Sequence, residues 1–294
     1  MTETIAFRNV LTNTTVREPI TKMVSIETFS DEYIISIPHA GLLIPEELLG
    51  LYDPDHDPLI EIDVHSDKPY EASEGVRIAS LLAPFVLDMN RSKSVPHGVP
   101  HHLTNDPFTY YTIKDRPYLE HPLPAAWKQM LEELYDTYHA QLSDAIASMK
   151  RTRGYALVFD AHSMTSRGLG RAHDVGMDRP DFAIGTLFGT SADPRILDEF
   201  ERALEQRAAP HHLSVARDTP YAGGFITRLH HSPSEGVHVI QLEVSMGTYL
   251  NEGWTDTPHP YELRTEDLAR TRAIITEAIR STAHAAPTIL KQRE

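Results

Sequence analysis

Cysteine is absent from this chain. That excludes disulfides, thiolate-bound zinc and cysteine nucleophiles together. No stretch approaches the roughly twenty apolar residues of a membrane span, so no membrane partner is expected. The opening residues lack the basic start and apolar block of a secretory signal, and a cytoplasmic location is the expectation. Positive charge is also scarce: 27 Lys and Arg stand against 42 Asp and Glu, a formal net charge of −15. Such a surface repels phosphate backbones and argues against nucleic acid. A small anionic substrate remains compatible, because a few arginines in one pocket dominate the local field. The composition fixes no oligomeric state.

Histidine, by contrast, is plentiful. There are 17, several of them clustered at His97, His101 and His102 and at His230 and His231. Acidity with abundant histidine suits a metalloenzyme without demanding one.

The pattern alternates strands with helices, which predicts an α/β fold with a mostly parallel or mixed central sheet and helices on both faces. With no internal repeat, low-complexity tract or linker, residues 1–294 read as one domain. Residues 1–31 are polar and read as an N-terminal arm, either a short strand or an irregular segment packed on the main body. Strands are expected at Tyr33 to Ile37, Phe85 to Met89, Tyr155 to Phe159, Phe182 to Leu187, Leu213 to Ala216 and Val237 to Leu242. Ile60 to Asp67 reads as a short extended piece. Helices are expected from a start at Pro45, over Tyr70 to Leu82 and, most clearly, over Ala125 to Arg153, where apolar residues recur at three- and four-residue steps. Two more follow, one opening at Asp193-Pro194 and one near Thr265 that ends before Pro287. Residues 92–124 are rich in proline and histidine and lack periodicity, as an active-site loop would. His139 lies beside the apolar stripe of its helix and reads as a packed, hydrogen-bonded histidine.

Five apolar segments end in reactive polar residues: His39, Asp63 with His65, Asn90-Arg91, Asp160 with His162, and Glu243. Ligands in open α/β sheets sit outside the carboxyl ends of strands, so these side chains are expected to converge. Two histidines and one carboxylate make a common catalytic zinc set with one position open. A further glutamate is then needed to move protons, and Glu243 is available. Arg91 is suited to hold a substrate carboxylate by a two-pronged, charge-assisted bond. A serine hydrolase built on Ser163, His162 and Asp160 is the weaker reading, because Ser163 lacks the glycines of a nucleophile elbow. A non-catalytic amino-acid-binding protein is the third.

Taken together, these residues fall into motifs that resemble the N-formylglutamate amidohydrolase family. The matching pieces are Ile-Pro-His39-Ala-Gly with Ile44-Pro45, Asp63-Val-His65, Asp88-Met-Asn90-Arg91 and Tyr138-His139. They continue with Phe159-Asp-Ala-His162-Ser163 and Arg167, Asp181 through Gly185-Thr186, Gly223-Gly224-Phe-Ile-Thr-Arg228, and Gln241-Leu-Glu243 through Thr248-Tyr249. That family is distantly similar to the zinc carboxypeptidases in fold. The resemblance implies His39 and His162 as ligands of Zn2+ or another divalent metal, Glu243 as general base and acid, and Asn90 and Arg91 as binders of a substrate carboxylate. The carboxypeptidases carry a glutamate three residues after their first histidine, where this chain has Leu42. The third ligand must therefore come from elsewhere; Asp63 is expected, with His65 or Asp67 behind it. Arg228 or Arg167 would meet a second carboxylate, and His65 would line the substrate site. The implied reaction is hydrolysis of N-formyl-L-glutamate to formate and L-glutamate, in histidine degradation. The alternative is the same chemistry on another N-formyl or N-acyl amino acid.

Overall fold

The computed structural model describes residues 4–94, 106–108, 112, 118–119, 121–170 and 172–291. The chain opens with β1 (Thr4–Asn9), β2 (Thr15–Pro19), β3 (Val24–Thr28), β4 (Ile34–Ile37), β5 (Leu43–Pro45) and β6 (Val76–Ser80). Helix α1 (Ala125–Arg153), β7 (Ala156–Met164), β8 (Phe182–Gly185), α2 (Pro194–Ala208) and β9 (Val215–Arg217) follow. The last elements are α3 (Phe225–His230), β10 (Val237–Ser245) and α4 (Thr265–Lys291). Seven strands form a mixed sheet in the order β3-β6-β4-β7-β10-β8-β9, and β2-β1-β5 form a small second sheet. Pairing is parallel at β6-β4, β4-β7, β7-β10 and β8-β9, and antiparallel at β3-β6 and β10-β8.

The central strands are buried on both faces, which is why they read as apolar runs. Their two faces feed different cores. Ile34, Ala156, Val158, Val237 and Val239 pack with the α1 stripe, including Trp127, Leu131, Leu134, Tyr138 and Leu142. Ile35, Leu157, Phe159, Ala161, Ile240, Leu242 and Val244 pack with α2 and α4. Helix α1 stops where Gly154, at φ +81, donates its N–H to Lys150 O at 2.9 Å in a left-handed cap. Asp193 caps α2, its carboxylate accepting from Arg195 N. Phe159 is fully buried and meets Phe200 of α2 at 5.1 Å between ring centroids. Emptying such a site costs about 3–5 kcal/mol.

Several local expectations are corrected. The N-terminal stretch is not irregular and holds more than one short strand: it supplies the β1-β2 hairpin and the edge strand β3. Tyr70 to Leu82 is not a helix but a 3-10 turn at Lys68–Tyr70 followed by β6. Gly75 breaks any helix there, and a side chain on it would fall 2.7 Å from the Tyr33 ring. Phe85 to Met89 is a buried turn, with Val86 and Leu87 N–H both directed to Ala83 O; its apolar residues join the core that includes the α1 stripe, Phe85 meeting Tyr52 and Tyr118. The extended piece at Ile60 to Asp67 is instead a 3-10 turn at Pro58–Glu61 followed by further turns. Helix α4 runs through Pro287 to Lys291. An interior proline costs about 3 kcal/mol, and the packing of Ile289 and Leu290 on the core holds the chain helical beyond it. Most of the expected loop 92–124 lies outside the described residues, as do His97, His101 and His102.

His139 is packed and hydrogen-bonded. Its Nε2 donates to Met89 O at 3.0 Å, and its Nδ1 lies 3.4 Å from His230 Nε2, with the rings stacked at 14°. Burial pushes both histidines down to about 4, His230's positive charge adding to the effect on His139. Folded-state values below the ordinary 6.5 mean that the unfolded chain binds more protons in acid. The stability from keeping this pair neutral is therefore present above pH 6.5 and lost as pH falls toward 4. We predict that a His139→Gln/His230→Asn double variant loses less stability than the parent between pH 7 and pH 4.5 in urea titrations. Parallel curves for the two proteins would refute this.

Candidate active site

Strand β7 does not end at Phe159 but continues to Met164. Alternation then places Asp160 and His162 on the face that carries Ala156 and Val158, toward α1. Parallel register sets Gln241 opposite Asp160 and Glu243 opposite His162 on β10. One face of these two strands thus changes from apolar to polar halfway along, while the other is mostly apolar, through Leu157, Phe159, Ala161, Ile240, Leu242 and Val244, with His238 and Ser163 as its polar members. Ser163 belongs to that opposite face, and its hydroxyl bonds to Tyr249 OH at 2.8 Å. A nucleophilic Ser163 paired with His162 has no geometric basis here.

His39 lies two residues beyond β4, and Asp63 comes from the turn after Pro58–Glu61. Both reach the end of β7. His39 Nδ1 is 3.2 Å from His162 Nδ1, and Asp63 Oδ2 is 3.4 Å from each of these nitrogens. Asp63 Oδ2 also accepts from Ser163 N at 3.1 Å, which fixes it to the strand. His39, Asp63 and His162 are the group of potential metal donors found among the described residues. Four ligands spaced tetrahedrally about 2.0–2.1 Å from zinc are roughly 3.3–3.4 Å apart. The observed triangle has those edges, so the three residues fit such an ion.

The outward nitrogens support the same fit. His39 Nε2 donates to Asp88 Oδ1 at 2.8 Å, turning Nδ1 inward. His162 Nε2 lies 3.2 Å from Asp160 Oδ1, a buried oxygen that has no hydrogen-bond partner among the described residues. The same nitrogen is 3.1 Å from Asn90 Nδ2, so either tautomer of His162 finds a partner. The tautomer that serves Asp160 leaves Nδ1 free to ligate.

Charge tells the same story. Asp63, Asp88, Asp160 and Glu243 surround two imidazoles. Burial works against charge on His39, yet the field and hydrogen bonds of Asp88 and Asp63 raise it to about 9. His162 is likewise raised well above its ordinary value against burial, through Asp160 and Asp63. Burial would raise Asp63, but hydrogen bonds from the two histidines bring it down to about 2. Burial pushes Glu243 up to about 7, with His162 opposing. The same negative field that draws protons onto both imidazoles would favour a cation, and the two would compete for the same lone pairs.

The remaining expected residues lie as follows. Asn90 is bonded at both ends, to His162 and, through Oδ1, to Ile226 N at 2.7 Å. Arg91 donates from Nε to Asp88 Oδ2 at 2.7 Å, and its terminal nitrogens have no partner among the described residues. Arg228 is on α3 with its Nη1 on Gly223 O at 2.8 Å, and Arg167 binds Gly176 O through Nε at 2.8 Å. His65 sits in a left-handed turn at φ +61, and Asp67 pairs with Lys68 at 3.2 Å; neither joins the donor triangle. Asp160 was expected beside His162 among the converging polar residues, but sequence reasoning gave no role to Asp88 or Gln241. Their signal was an acid or amide inside an otherwise apolar run, where such residues are rare unless partnered.

The architecture is that of a mixed α/β protein with a donor set for a divalent cation beside a buried glutamate. A family model described as N-formylglutamate amidohydrolase matches residues 31–250. The N-formylglutamate deformylase of Pseudomonas aeruginosa is 32% identical over 257 residues, covering 84% of this chain and 91% of that protein. That of Pseudomonas putida is 28% identical over 251 residues, covering 82% and 88%. The crystal structure of N-formylglutamate amidohydrolase from Ralstonia eutropha superposes with a TM-score of 0.71 at 19% identity, over 90% of this chain and 98% of that one. This chain belongs to the N-formylglutamate amidohydrolase family. No helix among the described residues is long and apolar enough to cross a membrane.

Titration of the metal-free protein with Zn2+ should give one tight equivalent per chain. Asp63→Ala and His162→Ala should each weaken it by at least about 10²-fold, while His65→Ala leaves it unchanged. A His65→Ala protein that loses the site would overturn the donor set.

Proposed function

We propose that this chain hydrolyses the amide bond of N-formyl-L-glutamate, giving formate and L-glutamate, with a divalent cation held by His39, Asp63 and His162. The observation that carries this reading is the donor triangle beside Glu243 in a chain of this family; the relatives named above supply the substrate. Zinc is the ion we favour, because two imidazoles and one carboxylate suit it and leave a coordination position open. Bound there, the ion would supply Lewis acidity toward the formyl oxygen and make water a better acid.

The chain's own residues do the rest. Glu243, raised by burial to about 7, accepts a proton from the attacking water as the new C–O bond forms at the formyl carbon. It returns that proton to the amide nitrogen as the C–N bond breaks, so the amine leaves neutral. A base whose affinity for a proton lies near the working pH performs both steps. Arg91, anchored to Asp88 through Nε, offers its terminal nitrogens to a carboxylate of the substrate. Arg228 or Arg167 meets the second, since each lies on a segment bordering the polar face. Asp88 and Asp160 hold the outward nitrogens of the two histidines.

Glu243→Gln should keep its metal and lose about 10²- to 10⁴-fold in kcat for formate release. Removing the metal with a chelator should abolish the same activity, and Zn2+ should restore it. A panel of N-formyl amino acids compared by kcat/KM tests the substrate, glutamate being expected to lead. Near-parental turnover by a metal-loaded Glu243→Gln protein would sink the assigned role.

A further inference from the structure

Two amide side chains border the polar face, and both are turned by the same loop. Gly224 N donates to Gln241 Oε1 at 2.5 Å, and Ile226 N donates to Asn90 Oδ1 at 2.7 Å. A backbone N–H can only donate, so each amide must face the loop with its oxygen and the site with its nitrogen. For Asn90 that nitrogen reaches His162. For Gln241 it reaches Glu243, with Nε2 donating to Oε1 at 2.8 Å. Gln241 and Glu243 stand two residues apart on the same face of β10, so the strand itself brings the pair together.

The loop can take this position because it is short of side chains. A Cβ on Gly224 would lie 2.2 Å from Asn90 Nδ2, and one on Gly185 would lie 3.0 Å from both Gln241 Cβ and Gly223 N. Gln241 is itself buried, 3% exposed, so water does not compete for its amide. The bond to Gln241 engages Oε1 of Glu243 alone. No hydrogen bond from the described residues reaches Oε2.

We propose that Gln241 is a positioning residue for Glu243: its Nε2–H ties down Oε1, leaves Oε2 to exchange the proton, and is itself locked in orientation by Gly224 N–H. This rests on the reading of Glu243 as the base. A buried carboxylate on a two-bond side chain otherwise swings between rotamers, and a misplacement of about 1 Å can cost on the order of 10²-fold in rate.

The test uses the full-length, metal-loaded protein with Gln241→Met, which keeps the volume but cannot donate, and Gln241→Asn, which keeps an amide one methylene too short to bridge both partners. Both should bind one Zn2+ per chain with parental affinity, since Gln241 touches no ligand. On N-formyl-L-glutamate, kcat should fall about 10- to 100-fold, with KM within about threefold of the parent. Crystal structures of the parent and of Gln241→Met should show the Glu243 carboxylate rotated away from its parental position. An unmoved carboxylate, or kcat within twofold of the parent in both variants, overturns the proposal. So does an equal loss through KM and thermal stability, which is what a purely structural glutamine would produce. A parent that releases no formate from N-formyl-L-glutamate fails the proposed activity instead, and the crystallographic comparison still decides the positioning of Glu243.

Discussion

The arrangement depends on a concentration of negative charge that the fold forces out of water. Asp63, Asp88, Asp160 and Glu243 surround two imidazoles, and all but Asp63 are nearly inaccessible to solvent. Unit charges 3.4 Å apart interact by about 5 kcal/mol even at an effective dielectric of 20. Such a cluster persists only if positive charge is supplied. In the isolated chain protons supply it, which is why both histidines are raised. A divalent ion held by His39, Asp63 and His162 would do the same with more charge. The residues that would ligate the ion are thus also the residues that make the pocket tolerable to the fold, and the site is neither added to the core nor separable from it.

Placement follows from the sheet. β7 and β10 each run nine residues, buried throughout. Toward α2 and α4 their side chains are mostly apolar and share one core with those helices; the buried His238 there accepts from Asp193 N. Toward α1 the first residues of both strands join the α1 core, whereas Asp160 farther along is met by Thr227 of α3. Apolar residues therefore occupy Ala156, Val158, Val237 and Val239. Beyond them the same face carries Asp160, His162, Gln241 and Glu243, where the neighbours are backbone N–H groups and turn carboxylates.

Much of this was legible in the chain. The strands at Ile34, Ala156 and Val237 announce themselves by β-branched and aromatic runs, and α1 by a stripe from Trp127 to Met149 sustained over about six turns. The family motifs picked out His39, His162 and Glu243. Other features were not legible, and for physical reasons. Phe85 to Met89 is apolar because it is buried in the core that includes the α1 stripe, and apolarity records burial and not conformation. The span from Tyr70 to Leu82 has apolar residues at helical intervals only because a turn and a strand happen to follow one another. β7 reads as ending at Phe159 because its polar residues look like a turn, although they continue the alternation of the strand. Asp160 stands two residues from His162 and was read with it, but Asp88 went without a role because a bond to the far nitrogen of a histidine 49 residues away leaves no trace in spacing.

Asp88 joins the two halves of the site. One oxygen accepts from His39 Nε2 and from Asn90 N, and the other from Arg91 Nε. A single buried carboxylate thereby sets the inward nitrogen of one candidate metal ligand and the outward face of one candidate substrate cation. Asn90 is held through Oδ1 by Ile226 N and turns its amide nitrogen toward His162 Nε2; in the tautomer of His162 that would ligate through Nδ1 that nitrogen has no acceptor there, so it would stay available to a substrate carboxylate beside Arg91. If Arg91 binds that carboxylate, the distance from it to the donor triangle is fixed by two hydrogen bonds to one aspartate. Selectivity for the length of the amino-acid substrate would then be set where Asp88 meets Arg91, and could not be relaxed without also loosening His39.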